Sequence, residues 1–173
     1  KEQIVQLLKQ KQIKVDEITI KKEETGRFRT TIYTKCCDES NGNDCPNKVI
    51  GQVISKVLNE KINKELKDVE MKNASFCVDI KYDESGNFNQ NGLDDIEFLI
   101  ATNVGDEAKP LIKIASGGEI SRIMLAIKTV LADTDEVPIL IFDEIDTGIS
   151  GKAAKSVGEK IKIISQKHQV LCI

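Results

Sequence analysis

Ile114-Ala115-Ser116-Gly117-Gly118-Glu119-Ile120-Ser121-Arg122, followed after one amphipathic run by Leu140-Ile141-Phe142-Asp143-Glu144-Ile145-Asp146-Thr147-Gly148, is the stretch whose reading decides the fold. Ser116 to Glu119 leads into the amphipathic segment Ile120 to Leu131. Val137 to Phe142 is a continuous apolar run that meets Asp143 and Glu144. Asp146-Thr147-Gly148 is a turn before another helix near Ser150.

Each part has a physical reading. A Ser-Gly-Gly turn at a helix start leaves backbone N–H groups unpaired where the helix dipole is positive, which suits a phosphate. Glycine lets a ligand approach the backbone, and Ser116 offers a hydroxyl as donor or cap. A short run apolar on both faces suits a strand buried in a parallel sheet. Ligands of such sheets bind beyond the carboxyl ends of the strands, where Asp143 and Glu144 fall. One carboxylate can then support Mg²⁺ and the next can orient or deprotonate water. Taken singly, the Gly-Gly pair reads as a plain turn and the acids as solvated loop residues or caps. Their order and spacing favour the phosphate reading.

Ala115 to Arg122 resembles the signature motif of ABC-type ATPase heads, and Leu140 to Gly151 resembles their Walker B strand and D-loop. The wording is similar to that of the RecN family, DNA double-strand-break repair ATPases related to the SMC proteins. The resemblance runs from Leu58 to Ile173, through Phe98 to Asn103 and His168 to Ile173. It implies the α/β fold of a carboxy-terminal ATPase-head lobe, with a P-loop-NTPase-like sheet and flanking helices, over residues 47–173. Residues 1–46, outside the resemblance, read as a small α/β segment before it. Residues 1–57 do not match RecN and only faintly resemble a segment of stage II sporulation protein E, through Gly26-Arg27-Phe28, the cysteine loop and Ser55 to Leu58.

By resemblance, ATP and Mg²⁺ are the cofactors and the working state is a homodimer of heads. Ser116, Gly117 and Gly118 would contact the γ-phosphate bound to the opposite head, with Glu119 in the same cofactor-binding turn. Asp143 would support Mg²⁺, Glu144 would be the catalytic general base, and Asp146 would couple the two sites. The Walker A loop expected of a head is missing. Gly148-Ile149-Ser150-Gly151-Lys152 has too few residues between its glycines, and Ala153 stands where Ser or Thr is needed. An amino-terminal lobe carrying Walker A is therefore an expected partner, DNA is met through the complete protein, and the chain alone is expected to bind ATP weakly. The family's switch histidine is expected beyond Ile173, and His168 is read as a surface loop residue. The alternatives are an SMC-type chromosome-organising head and a non-enzymatic, sporulation-linked interaction module; the intact Glu144 argues against the latter.

Composition agrees with an ordinary soluble chain: 40% hydrophobic, 31% charged, with a net charge of -3 that supplies no basic field for avid DNA binding by this piece alone. Aromatic residues at 4% and no Trp argue against a nucleic-acid surface built on stacking. No run is long enough to cross a bilayer and no signal-peptide pattern is present, so a cytoplasmic location is expected, and the resemblance to a DNA repair family implies association with the nucleoid.

Upstream, Ile4, Leu7 and Leu8 predict a short helix. Val15, Ile18 and Ile20 predict a strand, and Phe28 to Thr34 a second one after a turn at Glu24 to Arg27. A helix over Asn47 to about Val69 presents Ile50, Ile54, Val57, Leu58, Ile62 and Leu66 on one face and packs on a sheet. Phe76, Val78, Ile80 and Tyr82 alternate, as do Ile96, Phe98 and Ile100, giving an antiparallel strand pair across the polar loop Asp83 to Gly92. Leu111 to Ile114 reads as a strand delayed by Pro110. The signature helix buries Ile120, Ile123, Met124, Ile127, Val130 and Leu131, leaving Arg122 and Lys128 solvated. The last helix, Ser150 to Gln166, turns Ala154, Val157, Ile161 and Ile164 inward before a buried strand at Val170 to Ile173. Cys36, Cys37 and Cys45 flank a polar loop with no Cys-x-x-Cys unit and no nearby His, so free thiols are expected rather than zinc. Titration of the native chain should count all 5 cysteines as reactive thiols and find no bound zinc; stoichiometric zinc lost in Cys45→Ser would contradict this.

Overall fold

The computed structural model describes residues 15–22, 28–34, 46–82, 94–114, 116–133, 135 and 137–173, with side chains described over 51–81 and, among the later ones, from residue 95 onward. The expected first helix, the Glu24 to Arg27 turn, the cysteine loop and the Asp83 to Gly92 loop lie outside these residues. The chain divides into two compact units, one of residues Lys1–Val57 with Ile80–Ile96 and one of Leu58–Asp79 with Glu97–Ile173.

In the first unit, β1 (Val15–Lys22) and β2 (Phe28–Thr34) pair antiparallel, with Ile18 opposite Ile32 and an irregularity between Val15 and Glu17. Alternation of β-branched residues accounts for both strands.

The second unit carries the site. Helix α1 (Pro46–Asp68) brings Ile62 and Leu66 fully inside it, followed by Val69. Ile54 and Leu58, expected inward, are half-buried, and Val53 and Val57 are buried instead, so the stripe is rotated by about one residue. β3 (Ser75–Tyr82), β4 (Asp94–Ala101) and the short β5 (Lys109–Pro110) form a sheet in that order, with β3 at its edge. Two asparagines of α1 close that edge. Asn63 Nδ2 donates to the Phe76 carbonyl at 2.8 Å while its Oδ1 accepts the Phe76 N–H at 2.8 Å. Asn59 Oδ1 accepts the Val78 N–H, also at 2.8 Å. Edge backbone groups that would otherwise need water or another strand are thereby satisfied. Phe76 packs its ring on Phe98, with centroids 5.4 Å apart.

The expected strand Leu111 to Ile114 is instead a 3-10 turn at Leu111–Lys113, closed by the Ile114 N–H donating to the Leu111 carbonyl at 3.1 Å. Pro110 has no N–H to continue the ladder, and β5 stops there. Ile96 is exposed rather than inward, whereas Ile100 is buried.

A parallel βαβ unit follows as expected. After α2 (Gly117–Leu131), β6 (Ile139–Phe142) pairs parallel with β7 (Gln169–Cys172), and α3 (Gly151–Ile164) crosses between them and packs on α2. Leu140 and Phe142 are buried, but Ile139 and Ile141 are exposed, so β6 is covered on one face only among the described residues. β7 likewise leaves Leu171 exposed, as is Ile173 just past its end, where a buried strand is expected over Val170 to Ile173. On α3 it is Ala153 that is buried rather than Ala154, together with Val157 and Ile164; Ile161 is half-buried.

His168, expected on the surface, is buried, with Nδ1 2.6 Å from the Val137 carbonyl. At that distance Nδ1 carries the proton and donates. Lys160 joins α3 to α1 through Glu65 at 2.5 Å and Asp68 at 2.8 Å; burial opposes its charge, but the two carboxylates hold its pKa above the ordinary lysine value. Asn63→Ala should cost about 2 kcal/mol in denaturant unfolding, because the partly buried Phe76 N–H and carbonyl lose their partners. Unfolding indistinguishable from the unsubstituted chain would contradict this account of the sheet edge.

Candidate functional site

Everything at the site is set by how α2 begins and how β6 ends. Ser116 has extended backbone and caps α2, its Oγ accepting the Glu119 N–H at 3.4 Å. The Ile120 N–H donates to the Ser116 carbonyl at 3.0 Å, closing the first turn. Ser116 and Gly117 are exposed, Gly118 is buried and Glu119 is half-buried.

β6 carries its ladder one step past its last residue. The Ile173 N–H donates to the Phe142 carbonyl and the Glu144 N–H donates to the Ile173 carbonyl, each at 3.0 Å. Glu144 then turns through a left-handed conformation at φ 53, uncommon for a residue with a side chain. The Thr147 N–H donates back to the Glu144 carbonyl at 3.0 Å, and buried Ile145 anchors the turn. Gly148 supplies the positive φ of 72 that leads into Ser150, whose Oγ caps α3 by accepting the Ala153 N–H at 3.3 Å. Asp143, Glu144 and Asp146 are all exposed.

These two turns meet. A β-carbon built on Gly118 would lie 2.9 Å from the Glu144 carbonyl oxygen and 3.3 Å from that of Thr147, so backbone approaches backbone where only glycine fits. A β-carbon on Gly117 would lie 2.6 Å from Glu144 Oε2, which places that carboxylate against the positive end of α2. Ser121 Oγ donates to the Asp143 carbonyl at 2.6 Å. Arg122 Nη1 donates to the carbonyls of Ile145 at 3.3 Å and Thr147 at 2.9 Å.

Arg122 is the main correction to the sequence reading. Expected in solvent, it is only 7% exposed, and burial pushes its pKa down while the Glu119 charge pushes it up. Lys128, also expected in solvent, is half-buried and pairs with Asp135 at 2.5 Å. The missed signal was spacing: Arg122 follows Gly118 by four residues and so shares the face on which the backbone approaches the acid turn.

The structure therefore brings Ser116, Gly117, Gly118 and Glu119 beside Glu144, with Asp143 joined to the same helix through its carbonyl. For Asp146 the backbone place in the turn is given, with its side chain exposed. Among the described residues no group of three His, Cys, Asp or Glu side chains could hold a metal ion. The acid pair thus offers a metal few protein ligands, and phosphate oxygens and water would have to complete the set. Among the same residues no helix is long and apolar enough to cross a membrane.

No family model matches the chain. It is 47% identical over 128 residues to DNA repair protein RecN of Halalkalibacterium halodurans, a match covering 72% of this chain and 22% of that protein. It is 60% identical over 82 residues to DNA repair protein RecN of Treponema pallidum, covering 47% of this chain and 14% of the relative. The chain thus spans about a fifth or less of the length of these curated relatives. The solved Smc head domain with a coiled coil and joint from Pyrococcus yayanosii matches with a TM-score of 0.48 and 20% identity, over 73% of this chain and 23% of that one.

Gly118→Ala should destabilise the chain by about 1–3 kcal/mol, the range for overpacking against atoms that cannot yield. Gly117→Ala should cost less, because the atom it meets is the end of an exposed side chain. Equal thermal shifts for the two variants would contradict the close approach at Gly118.

Proposed function

We propose that this chain, which carries a partial RecN-type ABC/SMC head segment, is the carboxy-terminal half of an ATPase head working in DNA double-strand-break repair and recombination. The observation that carries the reading is the abutment of the Ser116-Gly117-Gly118 turn on the Asp143-Glu144 turn, in a segment matching RecN proteins. The exposed apolar row of Ile139, Ile141 and Leu171 supports a partner lobe lying on β6 and β7, which we take to be the amino-terminal lobe that bears Walker A. DNA would be engaged by the complete protein, in the cytoplasm at the nucleoid.

In this reading Ser116, Gly117 and Gly118 bind the γ-phosphate of ATP held by the opposite head. The Ser116 hydroxyl accepts an N–H as cap and keeps its own hydrogen to donate. First-turn N–H groups add neutral donors and the positive end of α2. Glu119 lies in the same turn and helps shape it. The Glu144 carboxylate now rests at Gly117, where an incoming phosphate would repel it; being exposed, it can swing aside.

Asp143 would hold Mg²⁺ together with phosphate oxygens, and the ion would neutralise charge on the phosphates. Glu144 would take the proton from the water that attacks the γ-phosphate, and Asp146 would link one site to the other across the head interface. Hydrolysis would then release the dimer.

The test supplies the amino-terminal lobe in trans or by fusion. Glu144→Gln keeps size and hydrogen bonding but removes the base. It should slow turnover by about 10²–10⁴-fold while ATP binding and the closed dimer persist. Asp143→Asn should weaken nucleotide-dependent closure itself. Ser116→Arg should block closure but leave ATP bound to the partner lobe. Wild-type turnover in Glu144→Gln would refute the assignment of the base.

A further inference from the structure

Three carbonyls of the acid turn, those of Asp143, Ile145 and Thr147, each accept a hydrogen bond from a side chain on α2. The donors are neighbours, Ser121 and Arg122. Gly118 makes the arrangement possible, since a β-carbon there would lie 3.1 Å from Arg122 Nη1 as well as against the Glu144 carbonyl.

Arg122 is an expensive way to fill a core position. A guanidinium this deeply buried costs desolvation, and its Nε has no hydrogen-bond partner. An apolar side chain of similar length would avoid both costs. What it could not do is donate to the Ile145 and Thr147 carbonyls. Those two bonds straddle Asp146 and follow Glu144, whose left-handed backbone needs its neighbours fixed.

We propose that Arg122, assisted by Ser121, is a positioning residue that locks the acid turn to the start of α2, so that a phosphate contact at Ser116 to Gly118 and the placement of Glu144 and Asp146 change together. The inference deepens the reading of Glu144 as general base and rests on it. It adds a mechanical link inside one head: the helix end facing the opposite head's nucleotide cannot shift without carrying the turn that holds this head's own base.

The experiment compares Arg122→Met and Arg122→Lys with the unsubstituted chain by amide exchange, and then by kcat and KM with the amino-terminal lobe supplied. Arg122→Met should speed exchange of the Thr147 amide by about tenfold as its turn opens locally. With the lobe present it should lower kcat by about a hundredfold with KM for ATP unchanged, as expected of a misplaced catalytic group. Arg122→Lys keeps the charge but loses the planar fork, and it should lie between the two in both readouts. Wild-type kcat in a folded Arg122→Met, or a kcat that falls only with the folded fraction, would overturn the proposal. Should Arg122→Met fail to fold, wild-type exchange and kcat in Arg122→Lys would overturn it equally. Glu144→Gln separates the two claims. Loss of turnover there with none in Arg122→Met sinks the positioning role alone, whereas wild-type turnover in Glu144→Gln sinks the general-base reading and this proposal with it.

Discussion

The approach of the Gly118 backbone to the carbonyls of Glu144 and Thr147 is the constraint on which the site depends. A side chain at that position would force the first turn of α2 and the turn after β6 to shift apart. That shift would strain the Ser121 bond to Asp143 and the Arg122 bonds to Ile145 and Thr147. The βαβ unit supplies the other half of the constraint. Pairing of β6 with β7 extends through the Ile173 carbonyl to the Glu144 N–H, so the acid turn is held from the sheet side as well as from the helix side. A left-handed glutamate persists because both sides determine its backbone.

This arrangement separates what is fixed from what can move. Backbone atoms from Asp143 to Thr147 are tied down, whereas the carboxylates of Asp143, Glu144 and Asp146 are exposed. Such a site can keep its frame while its acidic groups change partners. The glycine pair divides the labour. Gly118 is buried and serves the internal contact, and Gly117 is exposed at the end of the helix, where a ligand can come close.

Much of this was legible in the residues. The apolar run ending on Asp143, the capped Ser-Gly-Gly start and the Gly148 turn lie in order along a short stretch, and local chemistry sufficed to read them as strand end, helix start and turn. The failures share a cause: periodicity records how apolar a position is, not what faces it. Arg122 reads as solvated because it is charged, although its spacing from Gly118 puts it on the face that meets the acid turn. His168 reads as a loop residue because it follows a helix, although the Val137 carbonyl accepts its ring N–H. Ile139 and Ile141 read as buried because they are apolar, but among the described residues nothing covers the face they occupy. Leu111 to Lys113 reads as a strand by composition, while Pro110 cuts the ladder and a 3-10 turn takes its place.

The central claim is that the chain is half of a composite ATP site, complete only with a lobe bearing Walker A. The most direct measurement is calorimetric titration of Mg-ATP into this chain, into a separately produced amino-terminal RecN lobe, and into the equimolar mixture, with phosphate release followed in each. The account predicts negligible binding by this chain alone, binding by the lobe, and hydrolysis only in the mixture. Micromolar ATP binding by this chain alone, or a mixture whose turnover does not exceed that of the lobe by itself, would contradict it.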